Sequence, residues 1–490
     1  MAWVAGAIAI ALVVTLGWWT PVRAERAKHH DELTFPPLPE IQLPSSDRFQ
    51  LDNGLVVYLI EDRELPLAFG QMLVRTGDRF EPVEQVGLAS LTGTVMRASG
   101  SRLHPAERLN AILEQRAASV ETGIGTTTGS AGFSALSEDL DTVFGLFAEV
   151  IQQPRFDARQ LELAKTQLRG QIARRNDDPD AIASRELRKA IYGADSPYAR
   201  TVESETLDAI SLSDLRGFYR RYFTPERSIL GVIGDFDTAE MRSLVEAQFA
   251  DWKPSSEAVS QGTTDAIPTA MQMQQGTVAI GDRPQLTQSS VLMGHISGQL
   301  DDEDYAALSV ANGVLNGFGG RLFNEVRSRQ GLAYTVYAAW SARFDYPGLF
   351  LAGGQTQTDT TGAFIESVRG ELKRLQTQPI SEAELAYAKD STLNSFVFNF
   401  QDPSQTLSRL LRYEYFGYPE DFLFRYRAAL EAVTVDDVLR VARDRLTPEQ
   451  LVTIVVGNAT DIAPQLADLA PDDKIQPIDL DTANPTARRE

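Results

Sequence analysis

One pattern constrains this chain more than any other: it repeats itself. Leu207 to Leu215 matches Leu430 to Val438 at an offset of 223, and Thr224-Pro225-Glu226 matches Thr447-Pro448-Glu449 at the same offset. Val232-Ile233-Gly234 matches Val455-Val456-Gly457, still at 223. Leu161, Ala164 and Lys165 match Leu385, Ala388 and Lys389 with a shift of one further residue. Register held over such a distance points to duplication of one unit of about 200 residues. Two homologous domains are therefore expected, at 46–253 and 277–461. Between them 254–276 is rich in Ser, Gln, Thr and Ala and has no periodicity, so it reads as a linker. Residues 462–490, rich in Asp, Pro and Ala, read as a tail.

Each unit mixes strands and helices. Leu55 to Ile60 is β-rich and follows the turn signal Asn53-Gly54. Ser228 to Val232 and Leu451 to Val456 are buried-strand candidates. Leu109, Ile112 and Leu113 form a helical stripe after Pro105, and Leu140, Val143, Leu146, Phe147 and Val150 form another. Ala307, Val310, Ala311 and Val314 repeat at helical spacing, with Asp301 and Asp302 near the start. Strand runs and helix runs are grouped rather than strictly alternating. The expectation is an α+β fold, each domain a mostly antiparallel sheet flanked by helices.

A formal charge of −21 disfavours nucleic acid and anionic membrane as partners. The absence of cysteine removes disulfides, thiolate metal sites and thiol nucleophiles. Ala2 to Trp19 carries no charge, and Val22 and Ala24 suit a signal-peptidase site. Residues 1–24 thus read either as a signal peptide cleaved after Ala24 or as an N-terminal membrane anchor, both placing the remainder in the periplasm. The charge balance is unusual for export, because Arg23, Arg26 and Lys28 follow the run and no cation precedes it. Four histidines are scattered: His29 and His30 near the N-terminus, and His104 and His295, one in each unit. None lies in a pattern that holds metal. There is no Gly-x-Ser-x-Gly elbow and no Walker-type phosphate loop.

Several segments carry a resemblance to a known family. Gly87-Leu88-Ala89-Ser90-Leu91-Thr92-Gly93-Thr94 resembles the pitrilysin/insulinase segment in which Gly-Leu-Ala leads into His-X-X-Glu-His. Asn176-Asp177-Asp178-Pro179 and the repeated Thr-Pro-Glu turn are similar too. So is Arg321-Leu322-Phe323-Asn324-Glu325-Val326-Arg327, running into Gly331-Leu332-Ala333-Tyr334. In active zinc metallopeptidases of this family two histidines and a downstream glutamate bind zinc, and the glutamate between the histidines is the general base. The resemblance places the first histidine at Ser90, the base at Gly93, the second histidine at Thr94 and the third ligand at Gln171, so all four are replaced. Hydroxyls that stay protonated near neutral pH and an uncharged amide do not repay dehydration of a divalent cation. A glycine takes no proton from water. No metal, no cofactor and no catalytic residue are therefore expected.

The resemblance also implies what is kept. Family members supply an arginine and a tyrosine, seven apart, that reach peptide bound over the zinc. Arg327 and Tyr334 match that spacing and are the candidate substrate-binding residues. The arginine is expected to end a short helix and the tyrosine to open a strand, so that a turn joins them. The residues alone also allow Arg327 to pair with Glu325 or Glu303 and Tyr334 to lie in the core. Short members of the family work as pairs closing into a chamber, with the labour divided in some. The implied role is a non-catalytic subunit holding peptide beside a zinc-bearing homologous partner. A structural scaffold and a stand-alone peptidase with an unrecognised site are the alternatives.

Overall fold

The computed structural model describes residues 45–254, 266–400, 402–467, 469 and 475–480. Residues 1–24, His29, His30, linker residues 255–265 and the end of the tail lie outside the described residues. Among those described, no helix is long and apolar enough to cross a membrane.

The sequence repeat is built as two sheets with the same winding. The first contains β1 (Asp47–Gln50), β2 (Val56–Glu61), β3 (Leu67–Val74), β4 (Ser119–Ile124), β5 (Gly129–Leu136) and β6 (Ser228–Gly234). Its helices are α1 (Leu88–Ser99), α2 (Ala106–Gln115), α3 (Leu140–Gln152), α4 (Ala158–Arg174), α5 (Pro179–Tyr192), α6 (Ser204–Ala209), α7 (Leu212–Tyr222) and α8 (Thr238–Phe249). The second contains β7 (Val278–Asp282), β8 (Gln288–Ile296), β9 (Ala333–Ser341), β10 (Leu349–Gln357), β11 (Val452–Gly457) and β12 (Ile475–Ile478). Its helices are α9 (Tyr305–Leu315), α10 (Thr361–Thr377), α11 (Glu382–Ser395), α12 (Pro403–Phe416), α13 (Phe422–Ala432) and α14 (Val435–Arg445).

Strand order is β1-β2-β6-β3-β5-β4 in one sheet and β12-β7-β11-β8-β10-β9 in the other. Five strands correspond one for one. In each five, a single parallel pair (β2–β6, β7–β11) sits among antiparallel neighbours. The α+β architecture with mostly antiparallel sheets is therefore present. The second sheet gains β12 from the stretch beyond residue 461 that composition suggests is tail, and β12 pairs parallel with β7. A four-residue strand holding a proline is too short to show a period.

Local chemistry repeats with the topology. At α7, Ser211 accepts the Asp214 amide and the Asp214 carboxylate accepts the Ser211 amide at 2.8 Å. At α14, Thr434 and Asp437 do the same, the latter at 3.0 Å. Both are reciprocal caps that satisfy otherwise orphaned amides. At α5 and α12 the repeat is an Asp-Pro start: Asp178 accepts the Asp180 amide at 2.9 Å and Asp402 the Ser404 amide at 2.8 Å. Proline costs nothing at that first turn, where its missing amide would have no partner.

These last two helices tie the halves together, because each covers the other half's sheet. On α12, Leu407, Leu410, Leu411 and Tyr415 pack against Tyr58, Ile60, Leu73, Ile229 and Ile233 of the first sheet. On α5, Ile182, Ala183, Leu187 and Ile191 pack against Ala279, Leu292, Ile454 and Val456 of the second. Gly231 marks the tightest approach: a Cβ there would lie 2.5 Å from Leu407 Cδ1. The opposite faces carry each half's own helices over the two main cores. Both sheets are thus buried on two sides, which is why β6 and β11 are apolar without alternation.

Candidate functional site

The degenerate motif lies on α1, which packs against α4 and against β4. Gly87 opens the helix with φ near 106°, a conformation that favours glycine. Above it, the buried Glu81 carboxylate accepts the amides of Ala89 at 2.8 Å and Gly87 at 2.9 Å. Burial pushes the Glu81 carboxyl up to about 7, although those two amides pull the other way. Ser90 is half-buried, and Thr94 and Gln171 are exposed. The two hydroxyls share one side of α1, with Gln171 on the neighbouring α4.

Gly93, where the family's base would stand, is closed off. A Cβ there would lie 2.8 Å from the Ile124 amide nitrogen and 2.9 Å from the Gly123 Cα. Thr122 donates to the Gly93 carbonyl at 2.6 Å, drawing strand and helix together. The replacement of glutamate therefore goes beyond a lost carboxylate. The space for any side chain is taken by the β4 backbone, which cannot swing aside as a flexible side chain would.

Among the described residues no group of three or more His, Cys, Asp or Glu is placed to hold a metal ion. His104 Nδ1 lies 2.7 Å from Glu149 Oε2, and Ser101 donates to that same oxygen at 2.7 Å. Serine and imidazole both address the carboxylate, so the serine has no imidazole relay. His295 is buried against Phe350 with Nδ1 at 2.6 Å from the Ile296 carbonyl, and burial lowers its pKa.

The structure brings Arg327 and Tyr334 together. Residues Phe323–Arg329 wind as a π-helix, and Gly331, with φ near 66°, turns the chain into β9. Single π-turns of this kind recur at functional sites. The Arg327 guanidinium lies 4.8 Å from the centre of the Phe323 ring and 4.8 Å from that of Tyr334. Glu325 pairs with Arg329 rather than with Arg327. Tyr334 is 80% exposed, so it is not a core aromatic.

The register of β9 explains that exposure. Gln355 pairs with Thr335 and Thr356 with Ala333, so Tyr334 is the extra residue of a β-bulge. A bulge re-aims one side chain out of the sheet. Because β9 is an outer strand, its far side has no strand partner; Asn316 accepts the Ala338 amide there at 2.8 Å and donates to its carbonyl at 2.7 Å, and the edge nearer Tyr334 is left for pairing. Val326 and Leu322 anchor the π-helix in the second core, and Arg321 pairs with Glu384 of α11 at 2.7 Å.

Two neighbours escape a motif-based reading. Phe318, 82% exposed, meets Phe323 edge to face at 5.1 Å. The Tyr387 hydroxyl accepts the Gly319 amide at 3.2 Å, and its ring leaves no room for a Cβ at Gly319. The signal for Phe318 was there, a lone large apolar residue in Gly317-Phe318-Gly319-Gly320. Nothing in sequence marks Tyr387, which reaches the loop from α11. The assembled surface is a guanidinium held between two rings, beside the Tyr334 end of an outer strand. It can stack on side chains and donate to carbonyls of an extended chain.

Two family models match the chain: insulinase (peptidase family M16) over residues 56–204, and the peptidase M16 inactive domain over residues 209–392. An uncharacterized zinc protease of Mycobacterium tuberculosis is 28% identical over 323 residues, 64% of this chain and 70% of its own. A non-peptidase homolog, YmxG, of Helicobacter pylori is 25% identical over 369 residues, 74% of this chain and 82% of its own. The alpha subunit of mitochondrial-processing peptidase from Pongo abelii is 22% identical over 442 residues, 84% of this chain and 82% of its own. The crystal structure of a peptidase M16 inactive domain from Pseudomonas fluorescens matches with a TM-score of 0.73 at 23% identity, covering 84% of this chain and 98% of that one.

Proposed function

Because this chain belongs to the insulinase family of peptidases, family M16, and has lost that family's zinc motif, we propose that it is a non-catalytic subunit. In this reading it holds peptide for a zinc-bearing homologous partner. The observation that carries the reading is the exposed Tyr334 on a bulged outer strand, stacked on the half-buried Arg327 and Phe323 of the π-helix. Two large rings left open to solvent on one surface, Tyr334 and Phe318, are costly to maintain for structure alone. It suits an extended peptide, whose carbonyls accept from Arg327 and Tyr334 while its backbone pairs along β9. Gly93 supports the other half of the reading, since its site admits no base.

A relative named as the alpha subunit of a processing peptidase, and another named a non-peptidase homolog, support a helper role. The uncharged run from Ala2 to Trp19 supports action in the periplasm, soluble or anchored. The test is steady-state kinetics of the reconstituted pair. Arg327→Ala and Tyr334→Phe should each lower kcat/KM by about tenfold or more, the scale of one lost hydrogen bond to a charged or desolvated group. Unchanged kinetics would remove these residues from the site. A native complex without any zinc-bearing homologue would favour a scaffold instead.

A further inference from the structure

A cavity of about 580 Å³ lies between the two sheets, walled by α5, α12 and the loops at 126–128 and 343–346. Its lining follows the duplication. Arg188 of α5 and Arg412 of α12 are counterparts at offset 224, as are Tyr192 and Phe416, and all four line it. The repeat therefore sets two equivalent arginines on one space, one from each half. A third, Arg343, enters from the loop after β9.

The side chains of Arg188, Arg343 and Arg412 have no carboxylate and no hydrogen-bond partner among the described residues. One acidic residue, Asp345, lines the cavity, but its carboxylate is held by Arg79 at 2.7 Å, with both side chains nearly sealed from solvent. That charge is already matched, and three guanidiniums remain in excess. In a chain of formal charge −21, so many carboxylates are on hand that three unpaired arginines in one concave space is an arrangement against the background. An anion bound among them would meet all three. Thr127, Thr128 and Ser184 add neutral hydroxyl donors on the same walls. The volume falls in the usual range for small-ligand sites, about 300–1,000 Å³.

We infer that this cavity is a binding site for a small, multiply charged anion, an oligophosphate or a polycarboxylate, gripped by Arg188, Arg343 and Arg412. Guanidiniums bind both headgroups bidentately, which a scattered set of lysines would not do. The site is separate from the Arg327–Tyr334 surface, since about 23 Å of β9 runs between Tyr334 and the strand's far end. Its existence does not depend on the peptide-holding reading. Since the arginines come from both halves, the bound anion bridges α5 and α12 and stabilises the closed pair of sheets.

The experiment is isothermal titration of the full chain at low ionic strength with tripolyphosphate in one arm and citrate in the other. One saturable site is expected for at least one of them, weakening as salt is added. The arm that binds identifies the headgroup. Arg188→Gln and Arg412→Gln should each weaken binding about tenfold, the loss expected for one charge-assisted contact. Both side chains are exposed, so the ligand-free melting temperature should not move; Arg343→Gln, in a loop, serves if either helix variant folds poorly. Absence of saturable binding to both anions, or equal affinity in the Arg188→Gln/Arg412→Gln double variant, would overturn the site.

Discussion

At Gly93 two backbones meet, and the consequence can be put in numbers. Alanine in place of glycine inside a helix gains up to about 1 kcal/mol. Forcing a methyl against a fixed backbone costs about 1–3 kcal/mol. With contacts of 2.8 and 2.9 Å to β4, the second effect wins. Gly93→Ala is expected to lose about 1–2 kcal/mol of stability in urea titration, whereas a stabilised variant would mean that β4 is free to move. Glu81 makes a pH-dependent claim at the same end of α1. Its folded pKa of about 7 lies above the ordinary 4.5, so the folded state holds the proton more tightly than the unfolded one. Its contribution is fully present below about pH 4.5 and is lost as pH rises through about 7, by up to about 3 kcal/mol. The difference in unfolding free energy between wild type and Glu81→Gln should therefore shrink in the wild type's disfavour across that range. A difference independent of pH would show that Glu81 does not titrate there. Of these residues, Ser90, Gly93, Thr94 and Gln171 were legible because a motif fixes their spacing. Glu81, Phe318 and Tyr387 were not, because each acts across a fold that spacing does not encode.

The elements show where periodicity suffices and where it stops. The stripes at Leu109–Leu113 and Leu140–Val150 appear as α2 and α3, and the apolar runs near 228 and 451 appear as β6 and β11. Arg321 to Arg329 reads as a short helix and is one, but wound as a π-helix from Phe323. An apolar face at i, i+3, i+4 says that a helix is buried, not which sheet it covers. The exchange of α5 and α12 between halves was therefore invisible, although both carry the same Asp-Pro start. Gly231 tests that exchange. Gly231→Val would drive α12 off β6, since even a Cβ sits 2.5 Å from Leu407. It should cost several kcal/mol, on the scale of opening a core, and amides of α12 should lose hydrogen-exchange protection first. Protection lost evenly over both sheets would mean that α12 is not a separate docking unit.

For the whole molecule, duplication produced two units that do not stand alone. Removing the second half uncovers Tyr58, Ile60, Leu73, Ile229 and Ile233 on the first sheet. It also strips Glu414 from Arg48 and Tyr58, which bind it at 2.7 and 2.8 Å. A contiguous apolar face of that kind is an aggregation surface. Residues 46–253 expressed alone should be insoluble, and co-expression with 277–490 should restore a soluble complex; a soluble, cooperatively folding first half would refute the interlock. The interlock also bears on function, because it holds the blocked α1 site and the Arg327–Tyr334 surface in one body. The claim that the chain contributes to proteolysis only through a partner is tested most directly by zinc content and peptide cleavage of the purified chain, measured alone and again with its co-purified homologue. The account predicts no zinc and no cleavage for the chain alone, and one zinc with chelator-sensitive cleavage for the pair. Stoichiometric zinc and chelator-sensitive cleavage by the isolated chain would contradict it.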